Sequence, residues 1–380
     1  MKALAITTPG MEDVCGREIS ELIKVKGRIS PSVVVFEPKK MLDLCILCYK
    51  AQSVKKVLFL FDEFVVSEDL DLTLKGIKDI IKKTDISEWL SSDLTFKAEC
   101  QRLGNHNFSS IDIDKETGGF VLERVKAKVN LDNPELIFYI YIHDDRGYIG
   151  IDFSGFDLSK RDYKIFSHPT ALNGALAYSL ARLSGFDKKK TLLDPFCGSG
   201  TIPIEAVLYA SDFPVHYFSK DRFAFHNFKQ FKDADTEKYL EKLDKKINKE
   251  KTKVYGYDHL LRNIKACQKN AKIAGILKQI NLSKVSVEWL DTKFKEKSID
   301  HLVCDPPEIS KRTRESDIIK VYKEFFYQAA FVLKEKGSIT LIIRHKEQLI
   351  KAAEYQGFRV SEERDVLTGK EKRLVLVFSK

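Results

Sequence analysis

The chain of 380 residues is longer than one ordinary core, and its 43% hydrophobic and 31% charged content belongs to a globular protein, not a disordered or fibrous one. No apolar run approaches the roughly 20 residues that cross a bilayer. The start, MKALAITTPGMEDVCGREI, lacks the charged region and long apolar stretch of a secretion signal, so a cytoplasmic location and no membrane partner are expected.

Residues 1–62 mix short β-rich runs (MKALAIT, SVVVFE, VKKVLFLFDEF) with two helix-like segments, MEDVCGREISELIKV and KKMLDLCILCYKA. That is a small α+β unit. The second helix carries Cys45 and Cys48 in a C-x-x-C spacing. The run is apolar and no second pair lies nearby, so the two read as buried structural residues and no metal is expected. Seven cysteines, odd in number and scattered, do not form a disulfide framework. Residues 63–160 bring the helix-like LTLKGIKDIIKKTDISEWL. FKAECQR, GFVLERVKAKV, LIFYIYI and YIGIDFS follow, most with strand-like alternation. The helical SHPTALNGALAYSLARLSGF leads to the last part. The expected segments are 1–62, 63–160, a linker helix at 161–189, and 190–380.

From residue 190 the rhythm changes. TLLD, KVYGYD, VSVEWLD and IDHLVCD are short apolar runs that each end in an acid. Helix-like stretches separate them: TIPIEAVLYA, HLLRNIKACQKNAKIAG and DIIKVYKEFFYQAAFVLKEKG. This alternation predicts a mostly parallel sheet with helices on both faces, which ITLIIR continues and an antiparallel hairpin over the last residues closes. The charge divides along the same line. Of the net +9, residues 1–160 carry −4 and residues 161–380 carry +13, which suits a polyanionic partner for the second half. Part of that basicity is the lysine-rich EKYLEKLDKKINKEKTK, which reads as a solvated helix face.

Ligands of open α/β sheets bind at the carboxyl ends of the strands. Asp194, Asp258, Asp291 and Asp305 fall there, although acids also favour helix N-caps. The sharpest motif is LLDPFCGSGTIPIEA at 192–206. A strand ends at Asp194, a turn holds Gly198 and Gly200, and a helix starts near Thr201 and Pro203. Pro203 stands where a dinucleotide fingerprint has its third glycine, and no Gly-Lys-Ser/Thr is present, so neither that fingerprint nor a P-loop applies. An acid ahead of the glycines suits a cationic ligand end, and a helix N-terminus suits a carboxylate. Asp258 suits a ribose diol and Asp291 an adenine amine. One ligand with all four features is S-adenosylmethionine.

With those residues in view, the region from about 165 to 380 resembles a class I methyltransferase of Rossmann-like fold, a mostly parallel seven-stranded sheet. LLDPFCGSGTIPIEA is similar to the first motif of the tRNA/rRNA guanine-N2 methyltransferases. The resemblance implies that Asp194, Gly198 and Gly200 line the methionine part of the cofactor, Asp258 the ribose and Asp291 the adenine, with Phe196 and Thr201 as further cofactor-binding candidates. FKAECQRLGNHNFSSIDID, VNLDNPELIFYIYI and YIGIDFSG, within 96–155, resemble a THUMP domain, an RNA-binding module. The residues before it resemble the ferredoxin-like unit that often precedes THUMP. RNA, with tRNA favoured, is the partner this implies for a monomeric enzyme. Arg102, His106, Lys126 and Lys128 are candidate phosphate contacts, and His106 may equally order its own loop.

The loop CDPPEISKR resembles the Asp-Pro-Pro-aromatic loop of amino-methylating enzymes. There the acid's side chain and the first proline's carbonyl accept hydrogens from the exocyclic amine, which implies those roles for Asp305 and Pro306, with Pro307 following. Glu308 departs from the pattern, because an aromatic normally stacks on the flipped base. One reading has Glu308 grip the N1–H and N2–H edge of guanine while Phe196 stacks. The other has it cap the next segment or pair with Lys311 or Arg312. Lys311, Arg312 and Arg314 place cations beside the base pocket, or simply solubilise a helix start. A ring target such as guanine N7, an rRNA substrate, and an RNA-binding protein without catalysis stay open. Cytosine C5 chemistry is disfavoured, since the strand ITLIIRHK brings no nucleophilic cysteine.

Overall fold

The computed structural model describes residues 1–166, 172–231, 236–309, 313–369 and 371–380. The chain forms two compact units that cut across the segments expected from sequence. The first is Met1–Thr7, Cys15–Leu158 and Tyr217–Lys242; the second is Thr8–Val14, Ser159–His216 and Leu243–Lys380.

The first unit contains strands β1 (Lys2–Thr7), β2 (Gly27–Ser30), β3 (Val33–Phe36), β4 (Val54–Val65), β5 (Thr95–Leu103), β6 (Lys128–Val129), β7 (Leu136–His143) and β8 (Arg146–Asp152). They make one sheet in the order β2-β3-β1-β4-β8-β7-β5-β6. β7, LIFYIYIH, is buried along nearly its whole length, as expected of a central strand covered on both faces. Helices α1 (Glu12–Ile23), α2 (Leu42–Lys50), α3 (Leu70–Lys83) and α4 (Ser110–Leu122) accompany it. In α3, Asp69 caps the first turn and Leu74, Ile77 and Ile81 form the buried stripe. The strand expected over GFVLERVKAKV is instead the last four residues of α4 followed by a turn and irregular backbone. A reciprocal capping box starts that helix: Ser109 Oγ accepts Asp112 N–H at 3.2 Å and Asp112 Oδ2 accepts Ser109 N–H at 2.8 Å. Only Lys128–Val129 pair as a strand. Cys45 and Cys48 are fully buried on α2, and burial holds both thiols above their ordinary range. Phe228, from the 217–242 stretch, packs edge-on against Trp89 (5.6 Å) and Phe153 (5.1 Å), which puts this part of the expected 190–380 segment in the first unit.

The second unit holds α5 (Gly174–Leu183), β9 (Leu192–Asp194), α6 (Thr201–Ala210), β10 (Val254–Asp258), α8 (Leu261–Ile273), β11 (Asn281–Lys284), β12 (Ile299–Cys304), α9 (Glu315–Val332), β13 (Leu333–Ile343), α10 (Glu347–Tyr355), β14 (Arg359–Thr368) and β15 (Glu371–Ser379). α7 (Thr236–Asp244) runs across the boundary between the two units. The sheet order is β11-β10-β9-β12-β13-β15-β14, parallel from β11 to β13, with β15 and β14 antiparallel. Strand order reverses between β9 and β12, which opens a crevice at their carboxyl ends. One face is covered by a core including Leu176, Ile204 and Cys267, the other by Phe325, Phe326 and Phe358. Met11 and Val14 belong to the first of these cores. Asp13 forks onto Arg364 at 2.6 and 3.0 Å, so a few amino-terminal residues are part of the second unit. Among the described residues no helix is long and apolar enough to cross a membrane.

Candidate active site

A cavity of about 400 Å³ lies over the ends of β9, β10 and β12, all within the second unit. Asp194, Phe196, Gly198, Thr201 and Asp258 line one part of it. Asp305, Pro306, Pro307, Glu308 and Arg344 line another.

At the first part, β9 ends on a fully buried Asp194 that accepts the Phe196 N–H at 3.0 Å. Burial drives its carboxyl well above the usual carboxylate range. The Phe196 bond pulls back, and the charges of Asp258 and Asp305 push the same way as burial. The two glycines divide their work. Gly198 has φ +53°, and a Cβ there would meet nothing within 4 Å, so the loop offers bare backbone to the cavity. Gly200 has φ +91° and caps α6. Its Cβ would stand 2.1 Å from Cys267 Sγ, and the residue packs on α8 without lining the cavity. Asp258 ties the loops together: Oδ2 accepts Gly198 N–H and Asn263 Nδ2, each at 3.0 Å, and Oδ1 accepts Leu260 N–H at 2.8 Å. A carboxylate offers about four acceptor positions, so capacity for a hydroxyl remains.

Asp291 is not part of this cavity; it is exposed and its N–H donates to Gln328 Oε1 at 3.0 Å. The strand expected to end at Asp291 ends at Lys284, level with Asp258 in the β10–β11 register. VSVEWL instead folds as a short 3-10 turn, Val287–Trp289, that buries Val285, Val287 and Leu290.

At the second part, the loop after β12 is braced by residues that the sequence motifs did not flag. Arg373, on β15 and 4% exposed, donates Nη2 to Asp305 Oδ1 at 2.6 Å, to Glu308 Oε1 at 3.0 Å and to the Ile342 carbonyl at 3.0 Å. Its Nη1 reaches Asp305 Oδ2 at 3.3 Å. Arg344 donates its N–H to Glu308 Oε2 at 2.7 Å and Nη1 to Glu308 Oε1 at 2.9 Å. Tyr322 OH donates to the Pro307 carbonyl at 2.9 Å. Burial lifts the Asp305 carboxyl, and the Arg373 bonds and charge pull it back down. Glu308 has both oxygens engaged by arginines, so it is ion-paired as one sequence reading had it, with Arg344 and Arg373 as the partners. Lys311 and Arg312, the partners considered for it, lie outside the described residues. Phe196 packs its ring on Phe325 (5.7 Å between centroids) as part of a core. Arg314 is the exposed N-cap of α9 and does not line the cavity.

Among the candidate RNA contacts, Lys126 and Lys128 are exposed. Arg102 lies over Phe108, 5.3 Å to the ring centre, and donates Nε to Ser110 Oγ at 3.2 Å. His106 Nε2 sits 2.8 Å from the Asp144 carbonyl and so orders its loop. Glu205, unremarked in the motif, is buried and forked by Arg161 at 2.8 and 3.0 Å, with Tyr163 OH at 2.7 Å, which anchors the start of the second unit to α6.

Residues 161–373 match the RMKL-like methyltransferase domain, and residues 73–152 match the THUMP domain. The chain belongs to the RMKL-like methyltransferase family. It is 30% identical over 380 residues to the tRNA (guanine(6)-N2)-methyltransferase of Methanocaldococcus jannaschii, covering 95% of each chain. To the protein of the same name from Archaeoglobus fulgidus it is 26% identical, covering 98% of this chain and 91% of that one. Its fold is shared by TrmN from Thermus thermophilus, at TM-score 0.72 and 19% identity over 100% of this chain and 99% of that one. SMU.472, solved with SAH, gives TM-score 0.81 at 19% identity over 100% and 97%.

An RMKL-like methyltransferase uses S-adenosylmethionine, and this cavity fits it. Asp194, a buried acid that accepts the Phe196 N–H, suits the cationic methionine end. The open Gly198 backbone admits close approach, and Asp258 keeps an acceptor for the ribose.

Proposed function

We propose that this RMKL-like methyltransferase transfers a methyl group to the N2 amine of a guanosine in tRNA, at position 6 by analogy with its two archaeal relatives. The observation that carries the reading is the meeting, in one cavity, of the Asp194–Gly198–Asp258 cradle and the Asp305–Pro306 acceptor loop. When bound, S-adenosylmethionine supplies an electrophilic methyl group on its sulfonium. Asp194 and Asp258 orient it by its cationic end and its ribose. Asp305 keeps acceptor capacity beyond its Arg373 bonds, so its carboxylate and the Pro306 carbonyl accept the two hydrogens of the target amine. That aims the nitrogen lone pair at the methyl carbon, and the acceleration is one of positioning. The THUMP domain supplies RNA binding, with Arg102, Lys126 and Lys128 as its proposed phosphate contacts.

The test is incubation of unmodified tRNA transcripts and of rRNA with labelled methyl donor, followed by nucleoside analysis. N2-methylguanosine in tRNA is the expected product. Label only in rRNA, or 7-methylguanosine as the product, would overturn the reading.

A further inference from the structure

Glu308 stands where amino-methylating loops carry their stacking aromatic, and its two oxygens hold Arg344 and Arg373. Arg344 is held from a second side. Its Nε and Nη2 donate to the two oxygens of Glu371, at 2.5 and 3.2 Å, while Nη1 donates to Glu308 Oε1 at 2.9 Å. Hydrogen bonds on all three guanidinium nitrogens lie in the plane of the group. The plane is therefore fixed by two carboxylates, which leaves Arg344 its flat faces and two of its five N–H donors to offer. Its side chain is 38% exposed and lines the cavity beside Asp305, Pro306 and Pro307.

We propose that Arg344 is the stacking surface for the target base, and that Glu308 serves by holding it flat. The proposal rests on the guanine-N2 reading above and names the residue that would grip the flipped guanine. Guanidinium planes stack on bases as aromatic rings do. Charge decides against the other use of an arginine, a phosphate contact. Arg344 and Arg373 face Asp305, Glu308 and Glu371, so these five groups sum to one net negative charge. Such a cluster repels a phosphate and accepts the face of a neutral base.

The experiment compares wild type with Arg344→Lys, which keeps the charge and removes the plane, and with the double change Arg344→Lys/Glu308→Tyr, which returns an aromatic to the loop. SAH binding by calorimetry, unchanged from wild type, checks that each variant is folded. Arg344→Lys is expected to lower kcat/KM on the tRNA roughly ten- to a hundredfold, the range for losing one stacked base. The double change is expected to restore most of that loss. In a binding readout, tRNA carrying 2-aminopurine at the target position should be quenched by wild type and much less by Arg344→Lys. Glu371→Gln, at an exposed partner, should give an intermediate quench even if the lysine variant folds poorly. Wild-type kcat/KM and quench in Arg344→Lys would overturn the stacking role alone. A phosphate contact would instead keep the quench in Arg344→Lys and lose it in Arg344→Gln, with a smaller salt slope in Arg344→Gln. A wild-type protein that makes no N2-methylguanosine overturns the reading beneath the proposal, which falls with it.

Discussion

The two parts of the cavity are built by different means. The glycine turn of the cofactor part is local: Asp194, Gly198 and Gly200 lie within seven consecutive residues and take their shape largely from backbone geometry, with Asp258, 60 residues on, accepting the Gly198 N–H. The acceptor part is long-range, since Asp305 and Glu308 are held by Arg344 and Arg373, 36 to 68 residues further on. A glycine loop holds its shape through two positive-φ turns and a tight contact with α8. The Asp-Pro-Pro loop holds its shape by charge, with two arginines shared among three carboxylates. A local device fails through strain and an ionic one through unpaired charge, so the two parts should fail differently.

The largest effect is expected at the ionic brace. Arg373→Met strands Asp305 and Glu308, which are 22% and 10% exposed, without their shared partner. Losing one member of a buried ion pair costs about 3–5 kcal/mol. Thermal unfolding should register that loss, and single-turnover rates should fall in whatever fraction remains folded. Arg373→Lys cannot fork over two carboxylates and should fall between the two. SAH affinity should hardly change in either. A Met variant with wild-type melting and turnover would mean that the brace positions nothing.

Next comes the glycine pair. Gly200→Ala drives a Cβ against Cys267 Sγ at positive φ, so overpacking of about 1–3 kcal/mol adds to a left-handed strain of roughly 1–2 kcal/mol. Gly198→Ala bears only the strain, because its Cβ meets nothing, but it should lose cofactor affinity where the other does not. Denaturant titration with and without SAH separates stability from affinity. Equal destabilisation by the two changes would break the division of labour drawn from their surroundings.

The contrast also explains what the sequence could reveal. Strand–helix alternation after residue 190, the acid at Asp194 and the glycine turn are patterns within a few residues, and the structure has them where the pattern puts them. β2 was missed, because GRIS has too few apolar residues to read as a strand, and α4 was missed for its Gly118–Gly119 pair despite the Ser109–Asp112 capping box. Asp291 misled because VSVEWL alternates like a strand yet packs as a turn. Nothing local marks Arg344 or Arg373 as parts of the site. Each is an arginine on or just after a hydrophobic strand, and only the antiparallel pairing of β13 with β15 brings them together. Likewise Met11, Asp13 and Val14 belong to the second unit only through tertiary packing. A truncation removing 1–160 would take part of that core with it, so point changes are the better probe of the THUMP domain.

A pH effect of intermediate size is expected at the cofactor part. Burial raises the Asp194 carboxyl above its unfolded value, so the free protein holds this proton to higher pH than the unfolded chain does. The group therefore costs stability at neutral pH, and that cost shrinks as pH falls through the raised value. An ammonium placed beside Asp194 favours the ionised form, so binding expels a proton. Affinity for S-adenosylmethionine should rise with pH up to the raised value of the free protein, by up to about tenfold per pH unit, and level off above it. Calorimetry in buffers of different ionisation enthalpy should detect proton release in wild type and none in Asp194→Asn. A flat affinity profile without proton release would remove Asp194 from the cationic end.

The smallest effect concerns where phosphate attraction comes from. The cluster at the acceptor part sums to one net negative charge among its five described groups, so little salt-dependent binding should arise there. Lys126 and Lys128 in the first unit are exposed. If Lys128 meets a phosphate, Lys128→Ala should weaken tRNA binding only a few-fold and to a similar extent for unrelated RNAs. It should also reduce the log–log salt slope by about 0.7–0.9, the share of one phosphate contact. SAH affinity should stay at the wild-type value, because the cradle lies in the other unit. Arg344→Gln should leave the salt slope alone while lowering turnover. Filter binding over a salt series reads both slopes. An unchanged slope in Lys128→Ala would make that lysine a solubilising surface residue, and a reduced slope in Arg344→Gln would place a phosphate where the charge count says none belongs.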